Sequence, residues 1–248
     1  GYTKKYGIYN FSFYDDTFTL KRNHVEEFCN LVIEKRLNIH WRCMTRVDRV
    51  NKEMLALMRR AGCVYISVGL ESADPEVLKA VDKKTTVEEC RQARQWAKEA
   101  GIRTRFFIIV GLPYQTMESI DKTIEFLKET KPDEIEVNIF VPYPGSEFAR
   151  EPAKWGLEVS QKIDFDSYRQ RSDKNIQQLI RPVLRTKWMS AKEMLEAKQK
   201  ILDAFARIQQ SKDYSTVPRE GIVKMLKGGS LSRVMLIKRE GDYIVRKE

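Results

Sequence analysis

The sequence lacks any long apolar run. The longest such run in its 248 residues spans only 106–110 before Gly111, Leu112 and Pro113, whereas a membrane-spanning helix needs about 20 apolar residues. The first five residues, Gly1-Tyr2-Thr3-Lys4-Lys5, also do not have the pattern of a signal peptide. We therefore expect a cytoplasmic protein without a membrane span.

Cysteine is scarce, and the four that occur, Cys29, Cys43, Cys63 and Cys90, stand far apart in the sequence. No pair has the short spacing that brings thiolates together on zinc or on an iron–sulfur cluster. We therefore expect no metal ligand set in these residues. Each cysteine is interpreted as a small buried side chain in a reducing compartment.

The charge is unbalanced but not concentrated. Lys and Arg number 45 against 35 Asp and Glu, which gives a net charge of +10. Basic residues are spread along the chain and are densest in 224–247. Such a distribution is typical of a solvated surface, and an anionic partner such as RNA is the alternative. We do not expect a nucleic-acid partner.

Strand-like and helix-like segments alternate from residue 8 to about residue 145, which is the pattern of parallel sheet with right-handed crossovers. Helix starts are marked by Asn51, by Asp74 before Pro75, and by Thr86 with Glu89 three residues later. About five strand–helix units follow, although the last helix, from about residue 146, is weakly patterned. The predicted strands are 8–14, 39–45, 64–70, 104–110 and 135–141.

The rest of the chain has a different pattern. Residues 159–188 are polar and irregular, and 190–209 form an amphipathic helix. A short helix and a basic hairpin turning at Gly241-Asp242 are predicted within 219–248. We therefore expect a partial barrel domain in 1–158 and a mainly helical C-terminal extension in 159–248.

The predicted strands alternate apolar and polar side chains, although parallel strands covered on both faces usually read as continuous apolar runs. In the third strand, for example, Ile66 and Val68 alternate with Tyr65 and Ser67. Because helices cover the apolar face, the polar face must look into a wet or ligand-filled space. A closed eight-stranded barrel fills its lumen with bulky side chains. The sequence therefore predicts an α/β fold with an open parallel β/α barrel that holds a polar ligand.

Candidate site residues stand where the strands end, because parallel α/β folds bind ligands at the carboxyl ends of their strands. Asp15 and Asp16 either cap a local turn or bind a cationic group. Glu71 either pairs with Arg46 or Arg105 across the lumen or binds a ligand. The residues alone do not decide between these readings.

Five short motifs follow the strands in order: DDTF at 15–18, TRVD at 45–48, GLES at 69–72, VGLP at 110–113 and PYPGS at 142–146. Together they resemble the radical S-adenosylmethionine (SAM) superfamily. Within it they resemble the cobalamin-associated iron–sulfur oxidoreductases, a subgroup that includes the anaerobic magnesium-protoporphyrin IX monomethyl ester cyclases. The segment TKWMSAKEM at 186–194 is similar to the helical C-terminal extension of that subgroup.

The resemblance implies a set of cofactor-binding residues. It implies that Asp15 or Asp16 receives the amino group of bound SAM, and alternation along the strand favours Asp16. It also implies that Arg105, or else Arg46, meets the methionine carboxylate. The other implied contacts are Glu71 or Ser72 with the ribose and the backbone of Val110 and Gly111 with the adenine, and Asn138 completes the candidate set.

The family holds its 4Fe–4S cluster on a Cys-x3-Cys-x2-Cys motif that this sequence does not contain. The resemblance places that motif, with the first barrel strand, upstream of Gly1, because residues 1–6 read as the end of the following helix. We expect a truncated chain that is inactive on its own and whose cobalamin domain, where one exists, also lies upstream. Tyr114-Gln115 stands where relatives usually carry Gly-Glu, which puts the contacts of that loop in doubt.

The resemblance implies an enzyme that cleaves SAM reductively to a 5′-deoxyadenosyl radical. The radical acts on a small-molecule substrate such as a porphyrin ester, in an oxidative cyclisation, or else the enzyme transfers methyl groups through cobalamin. An electron donor such as flavodoxin or ferredoxin is the implied partner. A tRNA-modifying radical SAM enzyme and a non-catalytic binding module without a cluster are the alternatives.

Overall fold

The computed structural model describes residues 6–159, 184–210, 234–239 and 242–247. The chain forms two compact units, residues 1–208 and 209–248. The predicted end of a helix before residue 6, most of the irregular segment 159–188 and the short helix within 219–248 lie outside the described residues.

The larger unit alternates strands and helices along most of its length. Its first five strands are β1 (Asn10–Ser12), β2 (His40–Thr45), β3 (Cys63–Glu71), β4 (Arg103–Val110) and β5 (Glu134–Ile139). The helices that follow them are α1 (Arg22–Glu34), α2 (Lys52–Arg60), α3 (Pro75–Ala80), α4 (Val87–Glu99), α5 (Met117–Thr130) and the single turn α6 (Glu147–Arg150). Short 3₁₀ helices cover Val47–Arg49 and Pro152–Trp155.

The five strands form one parallel sheet in the order β1-β2-β3-β4-β5. Every strand therefore lies next to its predecessor in the chain. The sheet curls into a half-barrel with helices, which confirms the predicted α/β fold with an open parallel barrel of about five strand–helix units. The register shifts between Trp41 and Arg42 and between Gly69 and Glu71.

Polar side chains fix where the helices begin. The Asn51 side chain accepts a hydrogen bond from the Met54 backbone N–H, and Thr86 forms both halves of the predicted capping box with Glu89. Thr116 forms a similar reciprocal pair with Ser119 at the start of α5. These local bonds explain why the helix starts could be predicted from the sequence.

The core lies between the sheet and its helices. Four aromatic rings, Phe13, Phe18, Phe28 and Trp41, pack with centroids 4.7 to 5.8 Å apart. The Trp41 indole Nε1 donates to the Ala61 carbonyl at 2.7 Å, so its one polar atom is satisfied. All four cysteines are free and buried, as the sequence predicted.

Beyond the sheet, β6 (Leu157–Val159) pairs antiparallel with β7 (Leu184–Thr186), and the long helix α7 (Ala191–Gln210) follows. Met194, Ala197 and Ile201 of α7 are buried in the same hydrophobic core as the barrel strands. Lys200 of α7 also pairs with Asp121 of α5 at 2.5 Å. The helix assigned to the C-terminal extension thus belongs to the compact unit of the barrel, and the boundary at residue 158 stays a prediction.

The smaller unit contains two strands among its described residues, β8 (Val234–Arg239) and β9 (Asp242–Lys247). They pair antiparallel, with Arg239 opposite Asp242. Among the helices of the described residues, none combines the length and the apolar character that crossing a membrane requires.

Candidate functional site

A cleft of about 490 Å³ opens on the polar face of the sheet. Its walls come from β1 to β5 and from α7, which contributes Lys198 and Leu202. The polar side chains that line it are Ser12, Arg42, Tyr65, Ser67, Arg105, Glu136, Asn138 and Lys198. The alternation that predicted a polar lumen therefore corresponds to a real cleft. A smaller hollow of about 280 Å³ between α4 and α5 lies away from the strand ends.

Arg105 is the centre of the polar network in this cleft. Its Nη2 atom donates to Glu134 Oε2 at 2.6 Å, and Nη1 donates to Glu136 Oε2 at 3.3 Å. The Tyr65 hydroxyl donates to the same Glu134 oxygen at 2.7 Å, and the Tyr65 ring lies 5.5 Å from the Arg105 guanidinium carbon. Burial, together with Glu134, raises the pKa of Tyr65 well above its usual range. The tyrosine is therefore a hydrogen-bond donor at every physiological pH.

One polar atom in the network has no partner. Arg105 Nε is buried and makes no hydrogen bond in the part of the chain that the structure describes. Burial lowers the pKa of Arg105, but the bond to Glu134 and the neighbouring charges outweigh it and raise the pKa overall. A buried N–H donor of a permanent cation without an acceptor is costly. This atom fits a ligand that brings an oxygen acceptor.

Lys198 enters the cleft from α7 and is half-buried. Burial lowers the pKa of its ammonium group, and the carboxylate of Glu136 partly opposes that shift. Glu136 is already bonded by Arg105 and by the Asn138 amide, whose Nδ2 lies 3.3 Å from Glu136 Oε1. Asn138 thus lines the cleft, as a candidate cofactor-binding residue should.

The acidic pair after the first strand lies outside this network. Asp15 and Asp16 are both exposed, and β1 ends at Ser12. Asp16 lies in a turn, so the alternation that favoured it over Asp15 does not extend that far. The choice between the two carboxylates stays a prediction.

Glu71 and Ser72 are held by local contacts at the end of β3. Glu71 pairs with Lys83 at 2.9 Å, so of its two alternatives the pairing with Arg46 or Arg105 across the lumen is not formed. The reason is its backbone: Glu71 has a φ of 61° beside the irregular register, and its side chain folds back over Gly69. Ser72 is fully buried, and its hydroxyl accepts from the Asp74 backbone N–H at 3.1 Å.

The turn after β4 is organised by a buried glutamine. Gln115 Oε1 accepts from the backbone N–H groups of Gly111 at 2.6 Å and Leu112 at 3.3 Å, while its Nε2 donates to the Ile109 carbonyl. The Gln115 side chain therefore satisfies the backbone groups of this turn from within the chain. Val110 is buried behind it.

Arg46 is occupied outside the cleft. It forms two bonds to Asp48, from Nε to Oδ1 at 2.9 Å and from Nη2 to Oδ2 at 3.0 Å. This pair raises the pKa of Arg46 and lowers that of Asp48. Of the two arginines proposed for a carboxylate, Arg105 is the one that lines the cleft.

The thiols do not form a metal site. The neighbouring Cys63 thiol, together with burial, raises the pKa of Cys43 well above its usual range, and Cys63 Sγ itself donates to the Tyr65 carbonyl at 3.7 Å. No group of three or more His, Cys, Asp or Glu side chains among the described residues could hold a metal ion. The described residues therefore do not fit a 4Fe–4S cluster, whereas the acid, base and amide groups of the cleft fit a zwitterionic ligand such as SAM.

Sequence comparison agrees with the geometry of an open parallel barrel. The model of the radical SAM superfamily matches residues 2–127, about half of the chain. The protein therefore belongs to the radical SAM superfamily.

Among curated relatives, an uncharacterized methyltransferase of Pyrococcus horikoshii is 32% identical over 142 residues, which are 57% of this chain and 31% of that protein. An anaerobic magnesium-protoporphyrin IX monomethyl ester cyclase of Rubrivivax gelatinosus is 28% identical over 217 residues, which are 87% of this chain and 36% of that protein. The chain thus spans about a third of the length of the curated relatives it matches.

Solved structures share the fold. A radical SAM methyltransferase from Kitasatospora setae, solved with cobalamin and a [4Fe-4S] cluster bound, superposes with a TM-score of 0.61 at 14% identity, over 86% of this chain and 44% of that one. Coproporphyrinogen III oxidase from Escherichia coli gives a TM-score of 0.57 at 18% identity, over 80% and 40%. At such identities the likeness concerns the fold alone.

Several groups in the cleft and beside it were not predicted from the sequence. Lys198 was read as part of a separate extension, and Gln115 only as a departure from the family pattern. Glu134 and Glu136, the partners of Arg105, were not predicted as part of the site. The available signal was an acidic pair on the polar face of β5, beside two arginines on that of β4.

Proposed function

We propose that the cleft binds SAM and that the whole protein uses it for radical catalysis on an organic substrate. The observation that carries this proposal is Arg105, a partly neutralised cation with a buried, unbonded Nε atom in a cleft of a radical SAM barrel. Its free donor suits a carboxylate oxygen. When bound and reduced by one electron, SAM supplies methionine and a 5′-deoxyadenosyl radical.

The chain's own residues bind and orient in this proposal. Arg105 meets the methionine carboxylate, and Glu134 and Glu136 hold its guanidinium in place. Asp15 or Asp16 receives the amino group, Glu71 or Ser72 the ribose, and the backbone of Val110 and Gly111 the adenine. The proposal assigns the 4Fe–4S cluster to none of the described residues, because they lack its ligands.

For the substrate we propose a porphyrin ester that is oxidatively cyclised, with methyl transfer through cobalamin as the second candidate. The cyclase of Rubrivivax gelatinosus supports the first, since its match covers 87% of this chain. The methyltransferase of Pyrococcus horikoshii supports the second. A flavodoxin or ferredoxin as electron donor and a cytoplasmic, reducing location also belong to the proposal, and the free cysteines support the latter.

Calorimetric titration of SAM into the protein tests the binding site. Arg105→Gln should weaken SAM binding by at least about tenfold, because a charge-assisted bond in a half-buried site is lost. Arg103→Gln is the matched control, since Arg103 lies two residues away on the same strand and is exposed. Both variants are checked for unchanged thermal unfolding. Equal affinities in Arg105→Gln and the unmodified protein would remove the assignment.

A further inference from the structure

We infer that the α7 wall of the cleft recognises the anionic group of an amphipathic substrate and that Lys198 is the residue that binds it. The inference rests on the proposed function, because it places the substrate in the same cleft. It adds a substrate-binding residue contributed by a helix beyond the five parallel strands.

The first observation is that Lys198 is enclosed but unpaired. Lys192 and Lys200 on the same helix pair with Glu196 at 3.5 Å and Asp121 at 2.5 Å. Lys198, in contrast, forms no ion pair within the described part of the chain, although it is half-buried. Glu136 lies close enough to influence its charge, but Arg105 and Asn138 already bond that carboxylate. The ammonium group is therefore available to a ligand.

The second observation is the charge of the cleft. Three cationic side chains, Arg42, Arg105 and Lys198, line the cleft against two carboxylates, Glu136 in its lining and Glu134 bonded to Arg105, which leaves one net positive charge. Arg42 donates its Nε to the Ser12 hydroxyl at 2.7 Å, which leaves its charge uncompensated by that bond. Such an excess of positive charge favours a ligand with an anionic group.

The third observation is that apolar side chains line the same space. Met44 and Phe107 from the strands and Leu202 from α7 share the cleft with these cations. Leu202 follows Lys198 by four residues, so the two side chains lie on the same face of the helix. A ligand that contacts both side chains therefore needs an apolar body for Leu202 and an anionic group for Lys198.

A matched pair of fluorescent probes tests this inference without knowledge of the natural substrate. 1-Pyrenebutyrate carries a flat apolar body and a carboxylate, and 1-pyrenebutanol carries the same body with a neutral hydroxyl. The protein should bind the carboxylate at least about tenfold more tightly, as expected for a charge-assisted bond. Competition with acetate and with inorganic phosphate then identifies which anion the site prefers.

Variants on α7 assign the effect to one side chain. Lys198→Met should remove the preference for 1-pyrenebutyrate and leave the affinity for 1-pyrenebutanol unchanged. Lys192→Met, which alters an exposed lysine of the same helix, should retain the preference, and Lys198→Arg should restore most of it. Thermal unfolding of each variant shows that the helix remains docked.

Three outcomes would overturn the inference: no binding of either probe, equal binding of both, or an unchanged preference in Lys198→Met. SAM titration on the same samples separates this result from the proposed function. Normal SAM binding without probe selectivity would remove only the role of Lys198. Loss of SAM binding in the unmodified protein would remove the proposed function instead.

Discussion

Arg105 illustrates how single residues carry both structure and binding in this barrel. Two of its nitrogens are held by Glu134 and Glu136, while the third is buried and unbonded. A purely structural arginine has its donors satisfied, since an unmet buried donor costs free energy. The two carboxylates hold the guanidinium in one orientation, so a ligand pays little to order it. Arg105 therefore has a fixed guanidinium and one donor, the Nε–H group, that is without a hydrogen bond among the described residues.

Asp74 offers a test of electrostatics at the level of one residue. It caps α3 through the Glu76 backbone N–H and also accepts bonds from Ser119 and Lys122 of α5. Burial raises its pKa, but these bonds outweigh the burial and lower the pKa overall. A lowered pKa stabilises the fold at pH values above the usual aspartate pKa, and that contribution is lost as the pH falls through the lowered value.

Asp74→Asn should therefore lower the free energy of unfolding by about 1–3 kcal/mol at pH 7. The difference from the unmodified protein should narrow below about pH 4, as Asp74 takes up a proton in the unfolded and then the folded chain. Urea unfolding over a series of pH values measures this difference in the free energy of unfolding. Asp82→Asn, at an exposed aspartate, is the control. A difference that stays constant down to pH 2 would contradict the sign of the shift.

At the scale of elements, local chemistry predicted most of the barrel. The capping box of Thr86 and Glu89 and the cap of Asn51 are bonds within four residues, so the sequence contains them fully. Strand β1 was predicted as 8–14 but spans Asn10–Ser12, because among the described residues it pairs with β2 alone. Helix starts that are fixed by bonds within a few residues could therefore be predicted from the sequence. The bounds of a strand, which depend on its partner strands, were predicted less accurately.

The site was harder to predict for the same reason. Lys198 is far in sequence from every strand residue of the cleft and lies there only because α7 packs on the barrel core. Glu71 pairs with Lys83, which belongs to the next connection rather than to the lumen. No local pattern encodes either contact, because each depends on tertiary packing.

The junction of α7 with the β4 turn provides a test at this scale. Gly111 has a φ of 91°, and a Cβ placed there lies 2.8 Å from Met194 Sδ of α7. Gly145 has a similar φ of 87°, but nothing lies within 4 Å of such a Cβ. The two glycines thus share the backbone cost of a side chain, while only Gly111 adds a steric one.

Gly111→Ala should therefore destabilise the protein more than Gly145→Ala. We expect a loss of about 1–2 kcal/mol from the backbone at both positions, and a further loss of up to about 1 kcal/mol at Gly111. The free energy of unfolding in urea measures these losses. Equal losses in the two single variants would contradict the steric contribution at Gly111.

At the scale of the whole molecule, the barrel provides a binding wall but, among its described residues, no ligands for a metal. The two curated relatives named above are about twice as long as this chain, and the radical chemistry proposed for the whole protein needs a cluster and a reductant. The binding and the redox parts of the activity can therefore be tested separately. A catalytic barrel should show both SAM binding and, once a cluster is present, redox activity, whereas a binding module without a cluster should show SAM binding alone.

Residues 1–248 should remain colourless after anaerobic treatment with iron and sulfide, because the four cysteines are buried and do not converge on a metal. The same chain should bind SAM through Arg105 and should not turn it over. Absorbance near 400 nm and chromatography of the nucleoside products measure the two expectations. A brown chain that releases 5′-deoxyadenosine would contradict both.

A longer protein that includes any native sequence upstream of Gly1 gives the decisive comparison. If that sequence supplies three cysteines as Cys-x3-Cys-x2-Cys, reconstitution should yield a cluster and SAM cleavage with an electron donor such as flavodoxin. With a porphyrin ester as substrate, 5′-deoxyadenosine without methylated product supports the cyclase-like reaction, whereas S-adenosylhomocysteine and a methylated product support methyl transfer. An extended protein that binds SAM, carries no such cysteines and cleaves nothing would instead be the binding module, because the barrel's polar cleft does not depend on the cluster.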